Sequence, residues 1–114
     1  MLRLQSATDF ERVRREGHSH AHPLAVLITC PRPMLTNTPP ATRFGFTASK
    51  SVGTAVARNR AKRLLREAVR ARQAEIEPGW DLLFIARKPL AQVKLAEAEQ
   101  AVRQLLQRAK VISG

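Results

Sequence analysis

The stretch Arg43–Arg70, RFGFTASKSVGTAVARNRAKRLLREAVR, carries more about fold and use than any other part of the chain. Its first six residues alternate, with Phe44, Phe46 and Ala48 on one side and Arg43, Gly45 and Thr47 on the other. Successive side chains of a strand point to opposite faces, so Arg43–Ala48 is predicted as a strand with one buried face. Beyond Gly53 the period changes. From Thr54 to about Glu75 there is no Pro or Gly, and Ala57, Ala61, Leu64, Leu65 and Ala68 recur at helical spacing. At roughly 100° per residue they form a stripe about 100° wide, as an amphipathic helix packed on a sheet requires.

The face opposite that stripe is cationic. Arg58, Asn59, Lys62, Arg63, Arg66 and Arg70 fall within about 140° of one another. Between Arg58 and Arg72 stand seven basic residues and one acid, Glu67. A solvated helix face gains from Glu and Lys interleaved four apart, whereas Arg58, Lys62 and Arg66 repel at that spacing by a few tenths of a kcal/mol per pair. An anionic partner accounts for this arrangement, and solvation alone does not. Arginine outnumbers lysine, which favours forked contacts to phosphate and stacking on bases. Asn59 adds a donor and an acceptor suited to a base edge or a ribose hydroxyl.

Working outward, Thr8 and Glu11 have the spacing of a capping box and Gly17 is a natural helix end, predicting a first helix of about two turns. Leu24–Thr29 is apolar and β-prone and reads as a strand. Pro31, Pro33, Asn37, Pro39 and Pro40 make the following residues a loop. Pro78 and Gly79 stop the long helix. Leu82–Ala86 is a continuous apolar run suited to a strand covered on both faces, closed by Pro89. Leu95, Ala98, Val102, Leu105, Leu106 and Ala109 give the last helix. This order of elements predicts a small layered α+β domain.

The 114 residues, 44% of them hydrophobic, suit one domain over 1–114. Twenty Lys and Arg against nine Asp and Glu give a formal charge of +11. Such an imbalance self-repels unless a polyanion neutralises it, so the expected partner is nucleic acid or an anionic membrane, and a monomer is expected. Asp9 interrupts the N-terminus before any long apolar run, so no signal peptide is expected. The longest apolar stretch falls far short of the roughly 20 residues of a spanning helix. The single cysteine, Cys30, has no intrachain partner, and with no Cys-x-x-Cys pair the chain reads as cytoplasmic. Cys30 itself ends an apolar strand and reads as a small buried side chain.

Ser49-Lys50, Val52-Gly53, Ala55-Val56, Arg58-Asn59-Arg60, Lys62-Arg63 and Arg66-Glu67 together resemble the signature of the bacterial ribonuclease P protein, centred on Arg-Asn-Arg. Asp9-Phe10 ahead of Gly17, the strand Leu24–Thr29, and Gly79-x-Asp81 leading into Leu82–Ala86 and Arg87 follow in that family's order, so the resemblance covers nearly the whole chain. It implies a two-layer α+β sandwich of helix-strand-strand-strand-helix-strand-helix type, sharing its fold with a ribosomal-protein domain. The central sheet would carry a left-handed βαβ crossover, where general rules favour the right-handed one.

By the same resemblance, Arg58, Asn59, Arg60 and Arg63, with Lys50 just ahead of the helix, would face the catalytic RNA of ribonuclease P. Phe10 would line a cleft that takes the 5′ leader of precursor tRNA, with Lys62 and Arg66 as phosphate contacts. Phe10 also suits an ordinary core position. The family often carries further aromatics where this chain has Arg14 and Ile28, so leader binding here would lean on charge. Hydrolysis would belong to the RNA subunit, with Mg²⁺ held mainly by RNA.

Nothing in the chain reads as a protein active site, and no metal site is expected: the nine acids are scattered and no triad is present. His18, His20 and His22 alternate but lack a completing Cys or carboxylate cluster, and read as solvated loop residues. Trp80 reads as a partly buried anchor for the turn at Pro78-Gly79. Two other classes suit the composition: a ribosomal protein or RNA chaperone with no role in cleavage, and a peripheral membrane protein whose apolar stripe meets lipid.

Overall fold

The computed structural model describes residues 1–112; Ser113 and Gly114, the end of the expected 1–114 domain, lie outside the described residues. The chain forms α1 (Ala7–Glu16), β1 (His18–Ala21), β2 (Ala25–Pro31), β3 (Arg43–Ala48), α2 (Ala55–Arg70), β4 (Trp80–Ala86) and α3 (Leu95–Arg108). The four strands make one mixed sheet in the order β1-β2-β4-β3. β2 pairs antiparallel with β1 and β4, and β3 runs parallel to β4, joined to it through α2. This is an α+β sandwich with α1 added across the second face of its sheet.

Alternation along the strands decides which helix meets which face. Phe44, Phe46 and Ala48 of β3, Leu82, Phe84 and Ala86 of β4, and Ala25 and Leu27 of β2 pack with Ala61, Leu65, Ala68 and Val69 of α2 and with the apolar side of α3. The Phe46 and Phe84 rings stack at 5.7 Å between centroids. The alternate residues Ile28, Cys30 and Leu83 form a second, smaller core with Leu4 and with Val13 of α1. Cys30 is buried there, as its place in an apolar strand suggested.

Element boundaries depart from the sequence expectations where local chemistry competes. α1 is capped by Ser6, whose hydroxyl accepts from the Asp9 N–H at 3.4 Å, so Thr8 lies inside the helix and is not its cap. α2 starts as expected, with the Thr54 hydroxyl accepting from the Ala57 N–H. It stops at Arg70 rather than near Glu75: Arg72 leaves helical geometry and Gln73–Glu75 form a single 3-10 turn. That turn brings Ile76 back onto the main core.

β1 is the larger correction. His18 and His20 belong to an edge strand paired with Thr29 and Leu27, not to a solvated loop. The resemblance implies a third strand ahead of the long helix, and β1 is that strand; its polar residues hide it from pattern alone, because an edge strand needs no continuous apolar face. Burial, with the nearby charges of Arg108 and His18, lowers the His20 imidazole below its ordinary value. The outer edge of β3 is partly covered by the N-terminal segment: the Leu4 N–H donates to the Phe44 carbonyl and the Phe44 N–H to that of Leu2.

Candidate nucleic-acid interface

α2 carries its cations on two flanks of the same buried stripe. Arg58, Lys62 and Arg66 are half-buried along one margin, four residues apart, while Asn59, Arg60, Arg63 and Arg70 are exposed. Arg58 and Arg60 are about 160° apart around the helix axis at 100° per residue. Arg60 thus belongs to the side facing α3, with Asn59, Arg63 and Leu64, and Arg58 to the other. Arg70 is paired with Glu67 at 2.9 Å. Among the described residues Arg58, Arg60, Lys62, Arg63 and Arg66 form no ion pair. Lys50 is exposed in the 3-10 turn Lys50–Val52, between β3 and α2.

On the other sheet face, register places the side chains in rows across the strands. Ser19, Ile28, Leu83 and Gly45 make one row, and Cys30, Asp81 and Arg43 another. α1 lies against these rows. Phe10 is half-buried and sits so close to Gly45 that a β-carbon there would meet its ring at 2.9 Å. The next row, Ala21, Val26, Ile85 and Thr47, is exposed or half-buried, leaving an open, largely apolar strip across the full sheet. Ile28 is buried and Arg14 is exposed on α1.

The position of α1 is fixed by a buried charge cluster that sequence reading missed. The Asp81 carboxylate is fully buried. Arg43 forks onto it with Nε to Oδ1 and Nη2 to Oδ2, both at 2.7 Å, and Arg12 of α1 donates to Oδ2 as well. Asp9 accepts from Arg43 at 3.2 Å, and Arg12 also reaches the Cys30 sulfur. Burial pushes the Asp81 carboxyl up, but hydrogen bonds and charge from Arg43 and Arg12 outweigh it and hold it below the usual carboxylate range. The available signal was an aspartate at the head of an apolar strand run. Only the register shows that its neighbour in β3 is Arg43.

Among the described residues no three His, Cys, Asp or Glu side chains come together in a way that could hold a metal ion. No helix among them is long and apolar enough to cross a membrane. The apolar stripe of α2 is buried against the sheet, which removes the surface a peripheral lipid-binding helix would use.

A compact α+β unit with one helix carrying several arginines that form no ion pair among the described residues, and an open strip on the other face of its sheet, has the features of a small basic protein that lies against a polyanion. Comparison with known proteins makes the class specific. The family model for ribonuclease P matches residues 1–110. The chain is 42% identical to the ribonuclease P protein component of Dehalococcoides mccartyi over 97% of its own length and 87% of that protein. Its identity to the corresponding protein of Herpetosiphon aurantiacus is 43%, over 96% and 85%.

Among solved structures, the RNase P protein of Staphylococcus aureus superposes with a TM-score of 0.82 at 30% identity, covering 99% of both chains. That of Thermotoga maritima gives 0.79 at 28%, covering both completely. The chain belongs to the ribonuclease P protein family. Its place is therefore in the endoribonuclease that processes tRNA 5′ ends.

Proposed function

We propose that this chain binds the catalytic RNA of ribonuclease P through α2 and holds the 5′ leader of precursor tRNA on the open sheet face, assisting removal of the leader by the RNA subunit. The observation that carries the reading is the set of α2 arginines, Arg58, Arg60, Arg63 and Arg66, that have no ion pair among the described residues, in a chain of formal charge +11. Lys50, Arg58, Asn59, Arg60 and Arg63 contact the RNA subunit. The leader follows the Val26–Ile85–Thr47 strip beside Phe10, with Lys62 and Arg66 as phosphate contacts. With few aromatic surfaces available, affinity for the leader comes mainly from charge.

The protein supplies no group for the hydrolytic step. Mg²⁺ acts in the holoenzyme, held mainly by RNA, and cations of the protein screen phosphate repulsion between the two RNAs so that the metal sites order at lower Mg²⁺. The chain acts as a cytoplasmic monomer within the ribonucleoprotein. The test compares affinities of the holoenzyme for precursor and mature tRNA after neutralising Lys62 and Arg66. A greater loss for the precursor is expected; equal losses would remove the leader role.

A further inference from the structure

The groove between the middle of α2 and the first residue of α3 is not accounted for by phosphate binding. It is lined by Val56, Asn59, Arg60, Arg63, Leu64, Glu67 and Leu95 and encloses about 560 Å³. Two of its apolar side chains are unusually open, Val56 at 80% and Leu95 at 41% exposure, and Leu64 is half-buried between them. Scattered single exposed apolar residues are ordinary, but three converging on one groove form a patch. Val56 and Leu64 lie on the same flank of α2 as the exposed cations Arg60 and Arg63 and the amide of Asn59, and Leu95 lines the groove from α3. Glu67, the one acid of the groove, is tied to Arg70.

We infer that this groove receives one unpaired nucleobase of the catalytic RNA, its ring against Val56, Leu64 and Leu95, its edge read by Asn59, and its flanking phosphates on Arg60 and Arg63. The inference rests on the proposed RNA-subunit role of α2 and specifies what that helix recognises. A paired RNA helix presents a phosphate surface with no ring to fill an apolar floor, whereas specific RNA recognition targets unstacked bases whose edges and faces are both free. An amide among arginines and aliphatic side chains offers a base its three kinds of contact at once: edge, face and phosphate. Charge complementarity excludes a basic partner peptide, since Arg60 and Arg63 carry no counter-charge among the described residues.

Two measurements on the full-length chain test this, with a bacterial ribonuclease P RNA as the probe. The first is affinity against salt concentration for Val56→Ser/Leu95→Ser and for Arg60→Ala/Arg63→Ala. Both positions of the first pair are exposed, and an unchanged thermal transition confirms folding. That pair should weaken binding about tenfold with an unchanged salt slope, because it removes ring contact and no charge. The arginine pair should reduce the slope by about one per side chain.

The second places a photoreactive group on Leu95→Cys, the buried Cys30 being shielded from the reagent. Crosslinks to an unpaired nucleotide are expected. Unchanged affinity of the serine variant, or crosslinks confined to paired helices, would overturn the base site and leave the groove to another occupant. Failure of the unaltered chain to bind this RNA more tightly than an unrelated RNA of equal length would instead overturn the underlying reading of α2.

Discussion

Replacing Asp81 by Asn tests whether the buried charge cluster fixes α1 to the sheet. The substitution keeps the size of the side chain and removes its charge, leaving Arg43 and Arg12 facing an amide that cannot accept from both guanidinium groups as a carboxylate does. Breaking a buried pair by removing one partner costs about 3 to 5 kcal/mol, because the remaining charge stays desolvated. Here the two arginine side chains keep 21% and 23% exposure and Asp9 remains beside both, so the loss belongs at the lower end, about 3 kcal/mol. For a domain of this size that corresponds to a fall in melting temperature of roughly 10 °C.

The assay is equilibrium unfolding in urea with circular dichroism, at neutral pH and again in acid. The sign of the pH effect follows from the lowered Asp81 value: the contribution is fully present above the ordinary aspartate value of about 3.9 and is lost as pH falls through the still lower value of the folded state. The gap between the parent and Asp81→Asn should therefore narrow below about pH 4. A loss under about 1 kcal/mol at neutral pH, or a gap independent of pH down to 2, would refute the claim that this cluster holds α1 in place.

Other expectations follow from single contacts. Gly17→Ala should destabilise by about 1 to 3 kcal/mol, since the new β-carbon would meet Ile28 Cγ2 and the Val13 carbonyl oxygen at 2.5 Å; thermal unfolding within 0.5 °C of the parent would count against that packing. Phe84→Ala removes a fully buried ring stacked on Phe46 and should cost about 3 to 5 kcal/mol in urea unfolding. Thr54→Ala should cost about 1 kcal/mol by uncapping α2, with Thr54→Ser recovering most of it.

The long-range organisation was legible where periodicity and burial agree. Arg43–Ala48 alternates because one of its faces packs on α2 and the other faces α1, and the last helix shows its apolar spacing because one side is buried throughout. The cationic face of α2 could be read for the same reason: Ala61, Leu65 and Ala68 define the inside, so the remaining positions must be outside. Pattern alone hides β1, whose residues are those of a polar edge, and the N-terminal segment, where the backbone pairing with Phe44 is accompanied only by burial of Leu4 and by Arg3 over the Phe46 ring, too short a run to show a period.

Helical spacing identifies the α2 arginines individually but not their division between two flanks. A face 140° wide groups Arg58 with Arg63, while the groove with α3 separates them, and Leu95 comes from a helix that begins some thirty residues further on. Asp81 escaped because a buried carboxylate is recognisable only through its partners. Arg12 and Arg43 are brought to it by register and by the seat of α1, neither of which spacing along the chain encodes.

The most direct test of the functional account is cleavage of precursor tRNA by a bacterial ribonuclease P RNA at low Mg²⁺, with and without this protein, at matched salt. The account predicts that the protein restores cleavage at the mature 5′ end and that neutralising Arg58 and Arg60 together abolishes the stimulation. Tight RNA binding without stimulation would contradict it and favour a ribosomal or RNA-chaperone role.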